Sequence, residues 1–218
     1  MSKLSSVIAV AACSIATAFL APVTAALVFP LVLGSGPAWA DGTSVRVRGT
    51  VVSLDGSTLV VHAKDGKDVT VSLKDKYAAL AVVKSSMDEI KQGTFIGTAT
   101  EPQPDGSLRA VEVVVFPDSL RGFAEGHYPW DLGPKSMMTN ATIANKVEST
   151  DGQTVTVSYK GGEKKITIPA NIPIVGLVPS EPSDIKSGAI VFVPSEKQAD
   201  GTLLSGAVLF GRGVVPPM

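Results

Sequence analysis

From residue 45 the chain alternates apolar and polar positions. Val45, Val47, Gly49 and Val51 are separated by Arg46, Arg48 and Thr50, the period of two expected of a half-buried strand. Asp55-Gly56 then reads as a turn before Leu59, Val61 and Ala63, and Asp65-Gly66 as another before Val69, Val71 and Leu73. The pattern predicts a three-stranded meander. Lys74 to Gln92 follows and reads as a short helix carrying Ala78, Leu80 and Val83. A fourth strand is expected just past Gly93, through Phe95 to Ala99, and a fifth from Leu108 to Phe116 beyond the Asp105-Gly106 turn.

The same signals recur further along. Asp88 to Phe116 aligns without a gap on Ser183 to Gly211 at a shift of 95, with nine of 29 positions identical, among them Ile90/Ile185, Lys91/Lys186, Gly93/Gly188 and Leu108/Leu203. Val51 to Lys64 lies on Val147 to Lys160 at a shift of 96. A period of this length is the mark of a duplicated unit. In the second copy Pro169, Pro173, Pro179 and Pro182 replace the helical interval, so a loop is expected there. Three strands, a long connection and two more strands is the order of an OB-fold, a five-stranded partly open barrel. The expected fold is therefore all-β: two tandem five-stranded OB-like barrels, domain 1 over 41–117 and domain 2 over 140–218, with an aromatic connector over 118–139.

The first forty residues differ in kind. Their one charged side chain is Lys3, an apolar stretch runs to Leu33, and Ala38-Trp39-Ala40 closes the segment. This is the pattern of a secretory signal peptide, 1–40, cleaved before Asp41. An uncleaved anchor is the rival, since Leu4 to Leu33 is long enough to cross a bilayer; Pro22, Pro30, Gly34, Gly36 and Pro37 interrupt it. Cys13, the only cysteine, faintly resembles a lipoprotein box but lacks a polar tether after it. Cleavage would remove it, and with it any disulfide or thiolate metal site. Lys3 is the one basic residue of 19 that precedes Asp41, and all 20 acidic residues follow it, so the remainder carries a net charge near −2. Neither nucleic acid nor an anionic membrane surface is suggested as a partner. No second apolar run reaches membrane length, so no membrane span is expected after signal cleavage.

Ile-Lys-x-Gly ahead of the fourth strand, the Asp-Gly turn and the apolar last strand resemble the tandem OB-like domains of unknown function in secreted bacterial proteins. The likeness covers nearly all of residues 45–215. The segment Gly126-His127-Tyr128-Pro129-Trp130-Asp131-Leu132-Gly133-Pro134, with Ser136 to Asn140 after it, resembles a subgroup whose members sometimes carry labels tied to metal transport. The resemblance implies a fold and an exported location, with no catalytic residues to carry over.

The connector has no counterpart inside either copy and holds three of the nine aromatics beyond residue 40: Phe123, Tyr128 and Trp130. One reading is mechanical, with these rings and Leu132 forming an interdomain or partner surface. Another is a metal site of His127, Asp131, Met137 and Met138, in which imidazole and carboxylate suit a divalent ion and thioethers suit cuprous copper. One histidine with no His-x-x-x-His or Met-x-x-Met array falls short of the usual three or four donors. His62, the other histidine, sits on the polar face of the second strand, where solvation explains it. No Gly-x-Ser-x-Gly elbow, His-Glu-x-x-His or phosphate loop is present. Thr58, Val60, His62, Lys64 and Thr70 on the middle strands offer no ring to stack a base or sugar. Asn140-Ala141-Thr142 matches a glycosylation sequon.

These observations point to an exported, non-catalytic cell-envelope binding or scaffold protein, periplasmic or secreted, without a cofactor, whose partner is an envelope protein or a glycan. A periplasmic metal-binding accessory protein centred on His127 is the alternative, and a hydrolytic enzyme a further one.

Overall fold

The computed structural model describes residues 44–149 and 152–216. The signal peptide, its cleavage point and Cys13 lie outside the described residues. The described residues are all-β, with twelve strands: β1 (Ser44–Asp55), β2 (Thr58–Ala63), β3 (Asp68–Lys84), β4 (Phe95–Pro102), β5 (Leu108–Val115), β6 (Gly126–Pro129), β7 (Met137–Ser149), β8 (Gly152–Tyr159), β9 (Gly162–Pro169), β10 (Ile174–Ser180), β11 (Ile190–Lys197) and β12 (Leu203–Gly211). Three single 3-10 turns, at Met87–Glu89, Asp118–Leu120 and Pro182–Asp184, are the helical elements of the described residues. None of these is long and apolar enough to cross a membrane.

The meander β1-β2-β3 forms as the alternation requires, but the strands that close it come from the far end of the chain. β11 pairs antiparallel with β1 (Val47 opposite Val193), β12 pairs with β11, and β12 runs parallel to β3 (Val208 opposite Ala79). The result is a five-stranded barrel, β1-β2-β3-β12-β11. The hairpin β4-β5, which follows the first meander in sequence, pairs instead with the second: β4 with β7 (Ile96 opposite Ala141), and β5 with β9 through Leu108 and Arg109. Each meander is thus completed by the hairpin of the other half. This corrects the expectation that each repeat closes on its own strands. Local alternation shows which residues form strands, whereas equivalent hairpins offer near-identical faces to either meander.

Two further differences lie in the connections. The interval expected to be helical is, as far as Lys84, the second half of β3, and a single 3-10 turn follows at Met87–Glu89. Ala79-Leu80-Ala81-Val82 is a continuous apolar run because both its faces are covered, a pattern that helical and strand spacing share over so short a length. Its counterpart, expected as a loop, is β10, which pairs antiparallel with β3 about Leu177 and Val82 and parallel with β5 at Ile174 to Gly176. Pro179 is tolerated there because pairing with β5 ends at Gly176, leaving that edge without a ladder to interrupt.

The register also refines the internal alignment. His62 faces Thr50 and Ser158 faces Thr142, so β2 and β8 correspond at the shift of 96. Val51, however, corresponds to Ile143: their carbonyls accept from Gly188 and Gly93 at 2.8 Å each. Both strands bulge one residue later, and the β7-β8 hairpin then runs longer than β1-β2.

Three apolar clusters result. One fills the first barrel (Val61, Val71, Val193, Val208, Phe210), and one lies inside the β4, β5, β7, β8 and β9 group (Ile96, Val113, Val157, Ile166). The third is formed by the outward faces of β3, β5, β10, β11 and β12, with Leu80, Val82, Val114, Leu177, Phe192 and Leu209 at its centre. Close approach inside the first barrel demands glycine at one point: a Cβ on Gly49 would lie 2.0 Å from the His62 carbonyl oxygen. Gly49→Ala is expected to cost about 2–3 kcal/mol, read as a lower urea midpoint.

Candidate functional site

The connector covers the third cluster. After the turn at Asp118–Leu120 the chain folds back, with Ala124 at φ 48°, and β6 pairs with β7 so that His127 faces Thr139 and Tyr128 faces Met138. Ser136 closes the next loop: its hydroxyl donates to the Gly133 carbonyl and accepts from the Gly133 N–H, both at 3.0 Å, while its carbonyl accepts from the Trp130 N–H at 2.8 Å. Two arginines of β1 hold this loop from the other side. Arg46 Nη2 donates to the Pro129 carbonyl at 3.1 Å, and Arg48 grips Asp131 with two bonds of 2.7 Å. Such a two-pronged guanidinium–carboxylate contact fixes orientation as well as distance.

Beneath the connector lies a cavity of about 260 Å³, walled by Phe116, Phe123, Tyr128, Trp130 and Phe192, with Val114, Leu177 and Leu209 from the third cluster. The rings form two groups: Phe116 lies 6.2 Å from Phe123, while Trp130 lies 6.2 Å from Tyr128 and 6.1 Å from Phe192. Polar groups reach the cavity at few points. The Arg46 guanidinium sits 4.0 Å over the Trp130 ring. Asn140 donates at 3.2 Å to both the Phe123 carbonyl and the Tyr128 hydroxyl. Gly97 admits that amide, since a Cβ there would come within 2.7 Å of Asn140 Oδ1. A mostly apolar hollow with a small number of placed polar groups is the usual form of a small-molecule site.

The electrostatics follow from burial. Burial pushes the Tyr128 phenol up to about 12, partly countered by Arg46. Arg46 is pulled below its ordinary value, by desolvation first, with Asp131 opposing. At Asp131 burial pushes upward, but the hydrogen bonds and charge of Arg48, with the charge of Arg46, leave the carboxyl below its usual range. Among the described residues the buried Trp130 indole N–H has no hydrogen-bond partner, at a cost of about 1–3 kcal/mol.

Residues singled out from sequence separate in the structure. Phe123, Tyr128 and Trp130 meet at the cavity. Leu132, grouped with them, is instead 42% exposed. Of the four residues considered as metal ligands, Met137 and Met138 are neighbours on one strand and so point to opposite faces; Met138 lines the cavity and is buried. Asp131 is held by Arg48, and His127 bonds Thr139 Oγ1 through Nδ1 at 2.8 Å while its ring stacks on Tyr159, 6.2 Å away. These four do not converge, and among the described residues no three His, Cys, Asp or Glu side chains cluster. His62 is exposed beside Asp68, at 2.7 Å. Asn140 of the sequon is buried.

The His127 imidazole is held below its ordinary value, by desolvation and then by Lys164. The folded chain therefore takes up this proton less readily than the unfolded one. Stability from this group is full above the ordinary imidazole value of about 6.5 and is lost as pH falls through the lower folded value. A denaturation series from pH 7 to 5 is expected to show that loss, and His127→Gln to reduce it.

Sequence reasoning reached the rings but missed Arg46, Asn140, Gly97 and Phe192. A signal existed in the internal alignment, which sets Gly97 against Phe192 and Phe116 against Gly211. The cavity stands where the two halves exchange a glycine for a phenylalanine. Comparison with protein-family models, curated proteins and solved structures found no match to this chain.

Proposed function

We propose that the chain is an exported, non-catalytic binding protein of the cell envelope, built of two OB-like barrels that exchange their hairpins, which takes up a small apolar molecule beneath the aromatic connector. The supporting observation is the ring-walled cavity at the junction of strands from both halves. Among the described residues its polar groups are a guanidinium, an amide, a serine hydroxyl at Ser44 and a phenol. Such groups bind and orient; none of them exchanges a proton near neutral pH, as general acid–base chemistry needs. The N-terminal pattern of Lys3, the apolar run and Ala38-Trp39-Ala40 supports export.

The test is thermal unfolding of the full chain with 1-octanol, indole and naphthalene-methanol added separately. A ligand that binds only the folded state raises the midpoint in proportion to its occupancy. A rise is expected with at least one of the three, and Val114→Phe, which fills the cavity, is expected to remove it. No rise with any of them contradicts the proposal.

A further inference from the structure

Resting on that reading, we infer that the cavity's ligand is an apolar monocarboxylate whose head pairs with Arg46. Arg46 lies on β1 at the cavity wall, its guanidinium stacked at 4.0 Å over Trp130 and its side chain 18% exposed. Among the described residues the one carboxylate acting on it is Asp131, whose nearest oxygen is 4.0 Å from Nε. Both oxygens of Asp131 are engaged by Arg48 at 2.7 Å. Two guanidinium groups thus share one carboxylate, and the pairing favours Arg48. Arg46 is left as a half-buried cation beside an apolar hollow, held in place by the Pro129 carbonyl and the indole face.

That arrangement has a chemical complement. A planar guanidinium matches a carboxylate with two parallel bonds, and partial burial strengthens them. A single cation matches a single negative charge, and the walls of Phe116, Phe123 and Leu209 exclude water from whatever apolar body follows the head. Among the described residues the lining includes no aspartate or glutamate to repel the head. Because Arg46 also reaches the connector through Pro129, a carboxylate in the cavity would tie β1, ligand and connector together.

Isothermal titration of the full chain with octanoate, 1-octanol, 1-naphthoate and naphthalene-methanol tests this. The acids are expected to bind at least about tenfold more tightly than the matching alcohols, the scale of one charge-assisted pair. Arg46→Met, which keeps the apolar stem, should weaken binding of the acids more than that of the matching alcohols and so erase that preference. Should Arg46→Met fail to fold, Arg46→Gln and the unmutated acid-to-alcohol ratio carry the test. Equal binding of acids and alcohols overturns the head-group inference and leaves the cavity reading intact. Absence of binding by all four overturns both. Preference for the octyl or the naphthyl pair shows whether the body is aliphatic or aromatic.

Discussion

Val208→Asp is expected to unfold the N-terminal meander, although 124 or more residues separate Val208 from every residue of it. Val208 lies on β12, is 0% exposed, and faces the interior of the first barrel with Val61 and Val71. An unpaired carboxylate there has no cation to meet and costs about 4 kcal/mol or more. Amide hydrogen exchange shows where the damage falls. Protection is expected to vanish first in β2, whose partners β1 and β3 are held by β11 and β12. The matching change Val113→Asp on β5 is expected to expose β8, since Val113 packs with Val155 and Val157. If each half closed on its own hairpin, the two variants would give the opposite pattern.

Trp130→Ala is expected to lower stability by about 3 kcal/mol and to loosen the connector. The ring touches Phe192 of β11, Tyr128 of β6 and the Arg46 guanidinium of β1, so its loss leaves a void spanning all three. The figure is at the low end for removal of a large ring because Trp130 is half-buried rather than fully enclosed. Trp130→Phe is expected to cost much less. It keeps a ring against Phe192 and removes an indole N–H that has no acceptor among the described residues, so part of the lost contact is offset. Chemical denaturation of both variants checks this. A Phe variant as unstable as the Ala variant would mean that the indole edge, and not the ring, holds the connector.

How far the sequence disclosed these features depends on the range of the interaction involved. Alternation at Val45 to Val51 and the Asp-Gly turns are local, and they placed β1, β2, β4 and β5 where they stand. Over Ala79 to Val83 the local signal fails, because a strand covered on both faces loses its alternation and its apolar run then fits a helix equally well. Hairpin exchange is a choice between equivalent partners. No residue of β11 or β12 announces which meander it will join, since both hairpins alternate in the same way.

At the candidate site the aromatics of the connector were visible as a compositional anomaly, and their meeting is what burial of rings would bring about. Arg46 and Arg48 were hidden by their regularity. On β1 they read as the polar face of an ordinary strand, and only the return of the connector over that face gives them Pro129 and Asp131. The pairings of Asp131 with Arg48 and of His127 with Thr139 also show why a connector rich in donor residues need not gather them.

The most direct measurement of the central claim uses Trp130 itself. With Trp39→Phe the chain retains one indole, in the cavity wall. Its emission is recorded while 1-octanol and octanoate are titrated in. A saturable change in intensity or wavelength, abolished by Val114→Phe, is the result expected of a ligand site beneath the connector. Emission that stays constant through the titration, in a chain whose unfolding still exposes Trp130, would contradict it.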